Sequence, residues 1–266
     1  MRIVGVHGVG NHDAAREPAE AAARLSRIWA DALGGPHDLR VAYYAHHLKT
    51  RTGQSGADID HLDPGAEQFV LAWGAALGAP AELAQGRATA PLRHLADWVA
   101  RRFGLDSAAV RWFVAVFFAE VATYLAEAGD TDGTVRAAAR DEVARTILEH
   151  EPQVVIAHSL GSIVAYEALH ANPSLAVDLL VTVGSPLAMP DVVYPRLRPA
   201  ALTGTRPAGV RRWVNIADVG DLVAIPRRLG GRFATDVDHE ESVALFDFHR
   251  VRAYLAAARL REAIGS

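Results

Sequence analysis

The 266-residue chain contains no cysteine, so disulfide bonds, thiolate catalysis and cysteine-ligated metal centres are excluded. It also lacks a basic excess, because 27 lysine and arginine residues stand against 31 aspartate and glutamate residues. A general nucleic-acid binder or a protein of anionic membrane surfaces would carry such an excess, so neither is predicted. Charged residues make up 22% and hydrophobic residues 50%, which is enough apolar material for a sizeable core.

Long hydrophobic runs are scarce, and the first residues, Met1-Arg2-Ile3-Val4-Gly5-Val6, run straight into His7-Gly8 and do not form a secretory signal. We therefore expect a cytoplasmic protein. The most apolar stretch, residues 108–126, approaches the length of a membrane span but contains Arg111 and Glu120. Two charges near the middle of a bilayer are costly, so we predict a buried helix or an apolar lid and no integral span.

Strand and helix patterns alternate in most of the chain. Short apolar, β-branched runs predict strands at residues 3–6, 39–44, 153–157, 177–183 and 213–216. Helical periodicity lies between and after them, at residues 14–33, 134–150, 161–171 and 248–264. This alternation is typical of an α/β protein with a mostly parallel central sheet flanked by helices, and we expect a single domain over residues 1–266.

Residues 45–130 break the alternation. They show three helical segments and no strand pattern, which predicts a helical insertion within the domain. Large aromatic residues are frequent there, namely Trp73, Trp98, Trp112, Phe113, Phe117, Phe118 and Tyr124. They fit either an ordinary helix-packed core or a lid that lines an apolar substrate pocket, and these two interpretations are compatible.

Ser159 lies where a predicted strand meets a helix, in the sequence Ala157-His158-Ser159-Leu160-Gly161. This is the strand–turn–helix context of a nucleophile elbow. Only small residues fit two positions before and two after the serine, because strand and helix nearly touch there. Alanine replaces the usual first glycine but still meets the steric demand. The simpler alternative is a strand–helix turn in which the serine only caps the helix.

A serine hydroxyl needs a neighbouring base to become a nucleophile, and that base needs an orienting acid. With an elbow serine the expected chain order is serine, acid, histidine. Asp218 and Asp221 both follow the last predicted strand and are candidate acids. His249, just before the closing helix, is the candidate base. His239 is the other downstream histidine, but it lies in the acidic stretch 236–241, which we predict to be a solvated loop.

Acyl transfer also needs two N–H groups that receive the negative charge of the transition state. Leu160 follows the serine at a helix N-terminus and offers one of them. The loop His7-Gly8-Val9-Gly10 follows the first strand, and we expect the Val9 N–H to be the second donor, with Gly8 as the alternative. This loop lacks the lysine of a P-loop and the spacing of a dinucleotide fingerprint, and we predict neither a cofactor nor a metal ion.

Together these residues resemble the α/β-hydrolase superfamily, most closely its bacterial lipase- and esterase-type members and distantly the inositol-deacylase-like branch. The matching segments are His7-Gly8-Val9-Gly10, Ala157-His158-Ser159-Leu160-Gly161, Val183-Gly184-Ser185-Pro186-Leu187, Asp221-Leu222-Val223 and His249. The resemblance covers residues 1–45 and 131–266. It favours Asp221, the aspartate that precedes x-Val, as the acid, and Asp218 stays the alternative.

The resemblance implies an α/β-hydrolase fold with a lid-like insertion, and hydrolysis of an acyl ester by a Ser159–His249–Asp221 triad through an acyl-enzyme. We expect a small-molecule or lipid-like ester with an apolar acyl group, and transient membrane or lipid contact through the insertion. A thioesterase or peptidase-like acyl transferase could use the same triad. A non-catalytic interaction protein on a hydrolase scaffold is the alternative from a different class.

Overall fold

The computed structural model describes residues 1–48, 58–84, 92–126, 134–200, 205–243 and 250–265. Six strands in these ranges form one sheet, namely β1 (Arg2–Val6), β2 (Asp38–Ala42), β3 (Val154–His158), β4 (Val177–Val183), β5 (Val210–Asp218) and β6 (Val237–Glu241). Their order is β2-β1-β3-β4-β5-β6, and every neighbouring pair is parallel. The prediction of an α/β protein with a parallel central sheet is therefore confirmed.

Helices flank the sheet on both sides. They are α1 (Pro18–Leu33), α2 (Pro64–Ala76), α3 (Ala81–Ala84), α4 (Leu92–Phe103), α5 (Ser107–Leu125), α6 (Val135–His150), α7 (Leu160–Ala171), α8 (Val251–Ala256) and α9 (Ala258–Gly265). Single 3-10 turns lie at Ala45–His47, Ile59–His61 and Tyr194–Arg196.

Both faces of the sheet are buried, as the continuous apolar runs of its inner strands require. Alternate residues of β3 illustrate the division. Val155 and Ala157 pack into a core shared with α2, α4, α5, α6 and α7. Val154 and Ile156 pack into a second core shared with α1, α8 and α9. The sheet is thus the middle layer of three.

The strand order changes direction between β1 and β3. The chain leaves β1 through α1 to reach β2 on one side, and it leaves β3 through α7 to reach β4 on the other. In open parallel sheets, ligands bind outside the carboxyl ends of the strands at such a switch point. The loop after β1 and the turn after β3 meet there, and they contain the predicted donors and the predicted nucleophile.

Every regular element described between β2 and α6 is helical, as expected of an insertion, although the boundaries 45 and 130 stay a prediction. Its aromatic side chains Trp73, Phe117 and Phe118 are fully buried in the core that also contains β1 and β3. By contrast, Trp112 is 57% exposed, and Trp98 is only partly buried. The described part of the insertion therefore forms a packed layer of the domain.

Helix α5 explains the most apolar stretch of the sequence. It is long and apolar enough to cross a membrane by length and composition, but 67% of its most apolar window is buried inside the protein. Burial of this kind is typical of a core helix, which agrees with the expectation of a buried helix.

Residues 236–241 are not the solvated loop that the sequence predicts, because 237–241 form the edge strand β6 beside β5. The carboxylate of Asp238 accepts the N–H groups of Leu229 and Gly230, at 2.9 and 2.7 Å, and the Asn215 side-chain amide at 2.9 Å. Charged residues are common on edge strands, where they remain partly in water and discourage pairing with another chain. The acidic composition of this segment therefore indicated a loop where the chain forms a strand.

The predicted closing helix, residues 248–264, is also divided. Its described part breaks at Ala257, which has an extended backbone (φ −65°, ψ 142°) and separates α8 from α9. The break lets two short helices turn separate apolar residues, Tyr254 and Leu260, into the same core. A continuous helix would present its apolar residues as one stripe along a single face.

A buried ion pair joins two of the sheet-flanking helices and accepts a hydrogen bond from the insertion. Arg136 of α6 pairs with Glu167 of α7, and their side chains are 5% and 0% exposed. The Glu167 carboxylate also accepts the Tyr124 hydroxyl at 2.7 Å and the Arg198 N–H at 3.0 Å. Arg136 donates in addition to the Arg196 carbonyl at 2.7 Å. Both buried charges are thus compensated by hydrogen bonds from several elements.

Replacing Arg136 by methionine is expected to lower the free energy of unfolding by about 3–5 kcal/mol, because it leaves the Glu167 carboxylate buried and unpaired. Arg145→Met is the matched control, since Arg145 pairs with Glu142 and Glu149 on the surface. We expect a change of about 1 kcal/mol or less there. Urea unfolding of both variants measures the difference, and equal losses would contradict this view of the buried pair.

Candidate active site at the carboxyl ends of β1, β3 and β5

Ser159 occupies a strained turn between β3 and α7. Its φ of 55° and ψ of −130° fall where side-chain-bearing residues are rare. The strand ends at His158, and the helix begins at Leu160, so the turn is a single residue. The Ser159 N–H donates to the Val183 carbonyl of β4 at 3.1 Å, which anchors the turn to the sheet. The strand–turn–helix context expected from the sequence is present.

Glycine residues allow the backbone around Ser159 to pack without side chains. A Cβ atom on Gly161 would overlap the carbonyl oxygens of Val6 and His7. One on Gly8 would lie 2.7 Å from the Ser159 Cβ and 2.8 Å from the His158 ring. The first turn of α7 and the loop after β1 are therefore in direct backbone contact.

Two further serines hold the turn from behind. The Ser162 hydroxyl donates to the Ser159 carbonyl at 2.6 Å and lies 2.7 Å from the Ser185 hydroxyl. Because the Ser162 proton is used on the carbonyl, Ser185 is the donor of the second bond. Ser185 follows β4 in the Gly-Ser-Pro-Leu segment of the resemblance, whose role the sequence left unassigned. It connects the end of β4 to the strained turn.

The carbonyl groups of the loop after β1 accept hydrogen bonds from fixed donors. The Tyr44 hydroxyl donates to the His7 carbonyl at 2.6 Å. The Asn11 side-chain amide donates to the carbonyls of Gly8 and Val9, at 2.9 and 3.1 Å. The three successive carbonyls of His7, Gly8 and Val9 therefore all have hydrogen-bond partners.

His7 is a structural part of this loop. It is fully buried and stacks on the Tyr44 ring with a centroid separation of 4.2 Å. Its Nδ1 lies 2.8 Å from the Gly8 carbonyl, and its Nε2 lies 3.3 Å from the Tyr44 N–H. The proton must therefore be on Nδ1. Burial lowers the pKa of His7 to about 4, so the ring is neutral at physiological pH.

The two predicted oxyanion donors lie on the elements that meet at Ser159. Leu160 is the first residue of α7, whose N-terminus attracts negative charge. Val9 lies in the loop that Gly8 brings against the serine. Within the described ranges, neither the Leu160 nor the Val9 N–H group donates a hydrogen bond to another residue. Both groups are thus available to a ligand.

Asp221 is buried in the turn after β5, and its carboxylate is held by its own backbone. One oxygen accepts the N–H groups of Val223 and Ala224 at 2.7 and 3.3 Å. The other accepts the Tyr254 hydroxyl of α8 at 2.7 Å. Burial, followed by the charge of Asp221, raises the pKa of Tyr254 well above its usual range, so the phenol remains a donor. Such hydrogen bonds favour an ionised, oriented carboxylate.

Asp218, the alternative acid, is the last residue of β5 and is equally buried. Its carboxylate accepts the Gly220 N–H at 2.8 Å, and its own N–H donates to the Tyr254 hydroxyl at 2.8 Å. Tyr254 therefore touches both aspartates, a connection that sequence reasoning missed. Asp218 shapes the turn that carries Asp221.

Among the candidate bases, His249 lies outside the described residues, and its role stays a prediction. His239 lies on β6, three strand spacings from β3, which corresponds to about 14 Å at about 4.8 Å per strand. That separation places it beyond reach of Ser159. His158 is next to the serine in sequence and is buried between Gly8 and Tyr254.

A buried carboxylate from the insertion also reaches this site. Glu120 of α5 is only 7% exposed, and its Oε1 accepts the Gly10 N–H at 3.0 Å. Burial raises the pKa of Glu120 to about 7, and the bond from Gly10 partly opposes that rise. In the sequence Glu120 appears only as a charge that interrupts an apolar stretch. Its hydrogen-bond partner lies 110 residues earlier in the chain, so the sequence around Glu120 gives no indication of this contact.

A second insertion residue touches the acid turn. The Trp73 indole N–H of α2 donates to the Leu222 carbonyl, next to Asp221, at 2.7 Å. Ser159 itself is fully buried. The insertion therefore contacts both the loop that carries Val9 and the turn that carries Asp221.

In the described part of the chain, no group of three or more histidine, aspartate or glutamate side chains is placed to hold a metal ion.

Comparison with known proteins adds no assignment. No family model, no curated protein and no solved structure matches this chain. The function must therefore be argued from the geometry of the site.

Gly161→Ala is expected to lower the free energy of unfolding by about 3 kcal/mol, because the new methyl group would overlap backbone that belongs to another element. Gly231→Ala is the control, since no atom lies within 4 Å of the position of its Cβ. We expect a change within about 0.5 kcal/mol there. Denaturant unfolding compares the two, and a tolerated Gly161→Ala would disprove the close contact.

The pKa values of Glu120 and His7 predict opposite effects of pH on stability. The folded pKa of Glu120 rises from 4.5 to about 7, so the native state binds extra protons in that window, and stability falls as pH rises through it. The folded pKa of His7 falls from 6.5 to about 4, so its contribution is lost as pH falls through that window. Glu120→Gln removes only the first effect. It should therefore stabilise the protein by roughly 3 kcal/mol more at about pH 8 than at about pH 4.5.

Urea unfolding of wild type and Glu120→Gln at the two pH values measures this difference. Subtracting the free energy of unfolding of one protein from that of the other at each pH cancels the contributions of all other groups. A difference that does not change with pH would show that the folded pKa of Glu120 is not raised.

Proposed function

We propose that the protein is a serine hydrolase that cleaves a carboxylic ester, with an α/β-hydrolase fold and Ser159 as its nucleophile. One observation carries the proposal. Ser159 is held with a positive φ on a single-residue turn between a parallel strand and a helix. Backbone strain of this kind persists at functional sites when the surrounding structure enforces it. A helix-capping role would not require it, and the Ser159 side chain makes no capping bond to the helix.

The arrangement of the sheet supports the fold assignment. Ser159 follows β3 at the switch point, and the candidate acids follow β5, two strands away. His249 comes after β6 in the chain. Serine, acid and histidine thus follow one another along the chain in the order that α/β-hydrolases use.

In the proposed reaction, the Ser159 Oγ attacks the ester carbonyl carbon, and His249 accepts the hydroxyl proton. The tetrahedral intermediate then collapses and the bond to the alkoxide oxygen breaks. His249 gives its proton to that oxygen, so the leaving group departs as an alcohol. Water, deprotonated by His249, attacks the acyl-enzyme. The carboxylic acid leaves, and Ser159 regains its proton. Asp221 holds His249 in the useful tautomer and stabilises its charged form.

The carbonyl oxygen gains negative charge in both tetrahedral intermediates. The N–H groups of Leu160 and Val9 are proposed to receive it, because neither donates to another residue in the described ranges and both belong to elements that meet at Ser159. Donors that are fixed before the reaction contribute most, since they need not reorganise as charge develops. The hydrogen bonds that fix the loop carbonyls supply this rigidity.

Asp221 is preferred to Asp218 as the acid because its carboxylate is oriented from three directions, by Val223, Ala224 and Tyr254. The substrate is proposed to have an apolar acyl group. Val116 and Trp112 of α5 are the side chains nearest to Gly10, which belongs to the loop that Gly8 brings against Ser159.

The proposal is tested with a fluorophosphonate probe, whose phosphorus is attacked by an activated serine Oγ with loss of fluoride. We expect one adduct, located on Ser159 by peptide mass spectrometry and absent from Ser159→Ala. His249→Ala should slow labelling by about a thousandfold or more, because an unassisted serine hydroxyl is a poor nucleophile. His239→Ala is the matched control and should label at the wild-type rate.

Because Ser159 is buried, labelling is measured with and without mild detergent. Absence of an adduct in both conditions would contradict the proposal. Asp221→Asn and Asp218→Asn then test the acid through the rate of ester turnover, and the larger loss is expected for Asp221→Asn. The reverse ranking would transfer the role to Asp218 and leave the nucleophile unchanged.

A further inference from the structure

The insertion helix α5 lies directly on the loop that carries Val9. Trp112, Val116 and Glu120 follow one another at intervals of four residues and so share one face of the helix. From the position of a Cβ on Gly10, the Val116 Cγ1 and the Trp112 Cη2 lie at 3.6 and 3.9 Å. The carboxylate of Glu120 completes the contact by accepting the Gly10 N–H at 3.0 Å.

The bond to Glu120 fixes one of two peptide planes around Val9. The first plane contains the Gly8 carbonyl and the Val9 N–H, and its carbonyl accepts protons from His7 and Asn11. The second contains the Val9 carbonyl and the Gly10 N–H. Its carbonyl accepts a proton from Asn11, and its N–H donates to Glu120. The first plane is thus held at its carbonyl end and the second at both ends. Because peptide units are planar, these bonds restrict the direction of the Val9 N–H.

Glu120 supplies the one hydrogen bond that described insertion residues make to this loop. Gly10 has a φ of 72°, in the left-handed region, so its peptide is not held by regular secondary structure. Gly10 is exposed, so without an acceptor at position 120 its N–H would turn to water and the plane would lose its anchor on α5.

The presence of a carboxylate at this position is costly for the fold. Glu120 is buried on the most apolar helix of the protein, and among the described residues no basic side chain forms an ion pair with it. The titratable groups that interact with it electrostatically are Tyr43 and Tyr44, whose pKa values are raised mainly by burial. Buried carboxyl groups that have a raised pKa and no ion-pair partner are concentrated at functional sites.

We propose that Glu120 is a positioning residue for the oxyanion donor: by accepting the Gly10 N–H, it orients the Val9 N–H toward the carbonyl oxygen of the substrate. The inference rests on the proposed esterase function and assigns to the insertion a part in catalysis. Glu120 does not touch the reacting atoms. It acts through Gly10 and Val9.

The test compares Glu120→Leu, which fills the space without an acceptor, with Glu120→Gln, which keeps an acceptor oxygen. For turnover of an ester that the wild type cleaves, Glu120→Leu should lower kcat about 10- to 100-fold with KM changed by less than about threefold. Glu120→Gln should keep kcat within about threefold of wild type. Thr123→Val, which removes a hydroxyl bonded within α5, is the matched control and should not alter kcat.

Two further measurements distinguish positioning from a purely structural role. Glu120→Leu should melt at or near the wild-type temperature at about pH 8, because it removes a buried charge, although its kcat falls. Amide hydrogen exchange of a peptide spanning residues 7–13 should be faster in Glu120→Leu and unchanged in Glu120→Gln. Exchange does not require activity, so it tests the loop even if no ester is cleaved.

The inference is overturned if Glu120→Leu keeps wild-type kcat, or if exchange in the loop is unchanged. It is also overturned if Glu120→Gln loses as much kcat as Glu120→Leu. A wild-type protein that neither turns over esters nor labels at Ser159 would instead refute the proposed function, and that result is independent of the exchange measurement.

Discussion

The site depends on one close approach, between the backbone of the loop after β1 and the first turn of α7. Gly161 makes it possible, because any side chain there would overlap the carbonyl oxygens of Val6 and His7. The approach brings together, at Ser159, the loop that contains Val9 and the first residue of α7, Leu160. The strained backbone of Ser159 is the geometric consequence, and the bonds from Val183 and Ser162 keep it in place.

The parts of this arrangement that sequence could predict are those encoded locally. The elbow is defined within a dozen residues by an apolar strand, a serine with small residues two positions before and after it, and an immediate helix. The parallel sheet is indicated by the alternation of strands and helices. The acidic strand β6 was not predictable in this way. Its composition is that of a loop, and its strand conformation depends on pairing with β5 and on the distant donors that Asp238 receives. The break at Ala257 likewise follows from packing on the sheet.

The supporting residues of the site depend on contacts between distant segments. Tyr254 binds Asp221 across 33 positions, Ser185 reaches Ser162 across 23, and Glu120 reaches Gly10 across 110. None of these residues stands in a motif that fixes its partner. The role of the insertion could not be predicted from local sequence either, because its aromatic residues were compatible with both a packed core and a lid. Their burial in the core of the sheet, and the bonds of Glu120 and Trp73 to opposite sides of the site, make the described part of the insertion a structural component of it.

The central claim is that Ser159, Val9 and Leu160 converge on one tetrahedral centre. The most direct measurement is a crystal structure of the protein after reaction with a phosphonate ester, whose phosphorus mimics that centre. The account predicts a covalent bond from the Ser159 Oγ to phosphorus, with one phosphonyl oxygen about 2.7–3.1 Å from the N–H nitrogens of both Val9 and Leu160. A phosphonyl oxygen directed into solvent or toward other groups, with those two N–H groups unoccupied, would contradict it.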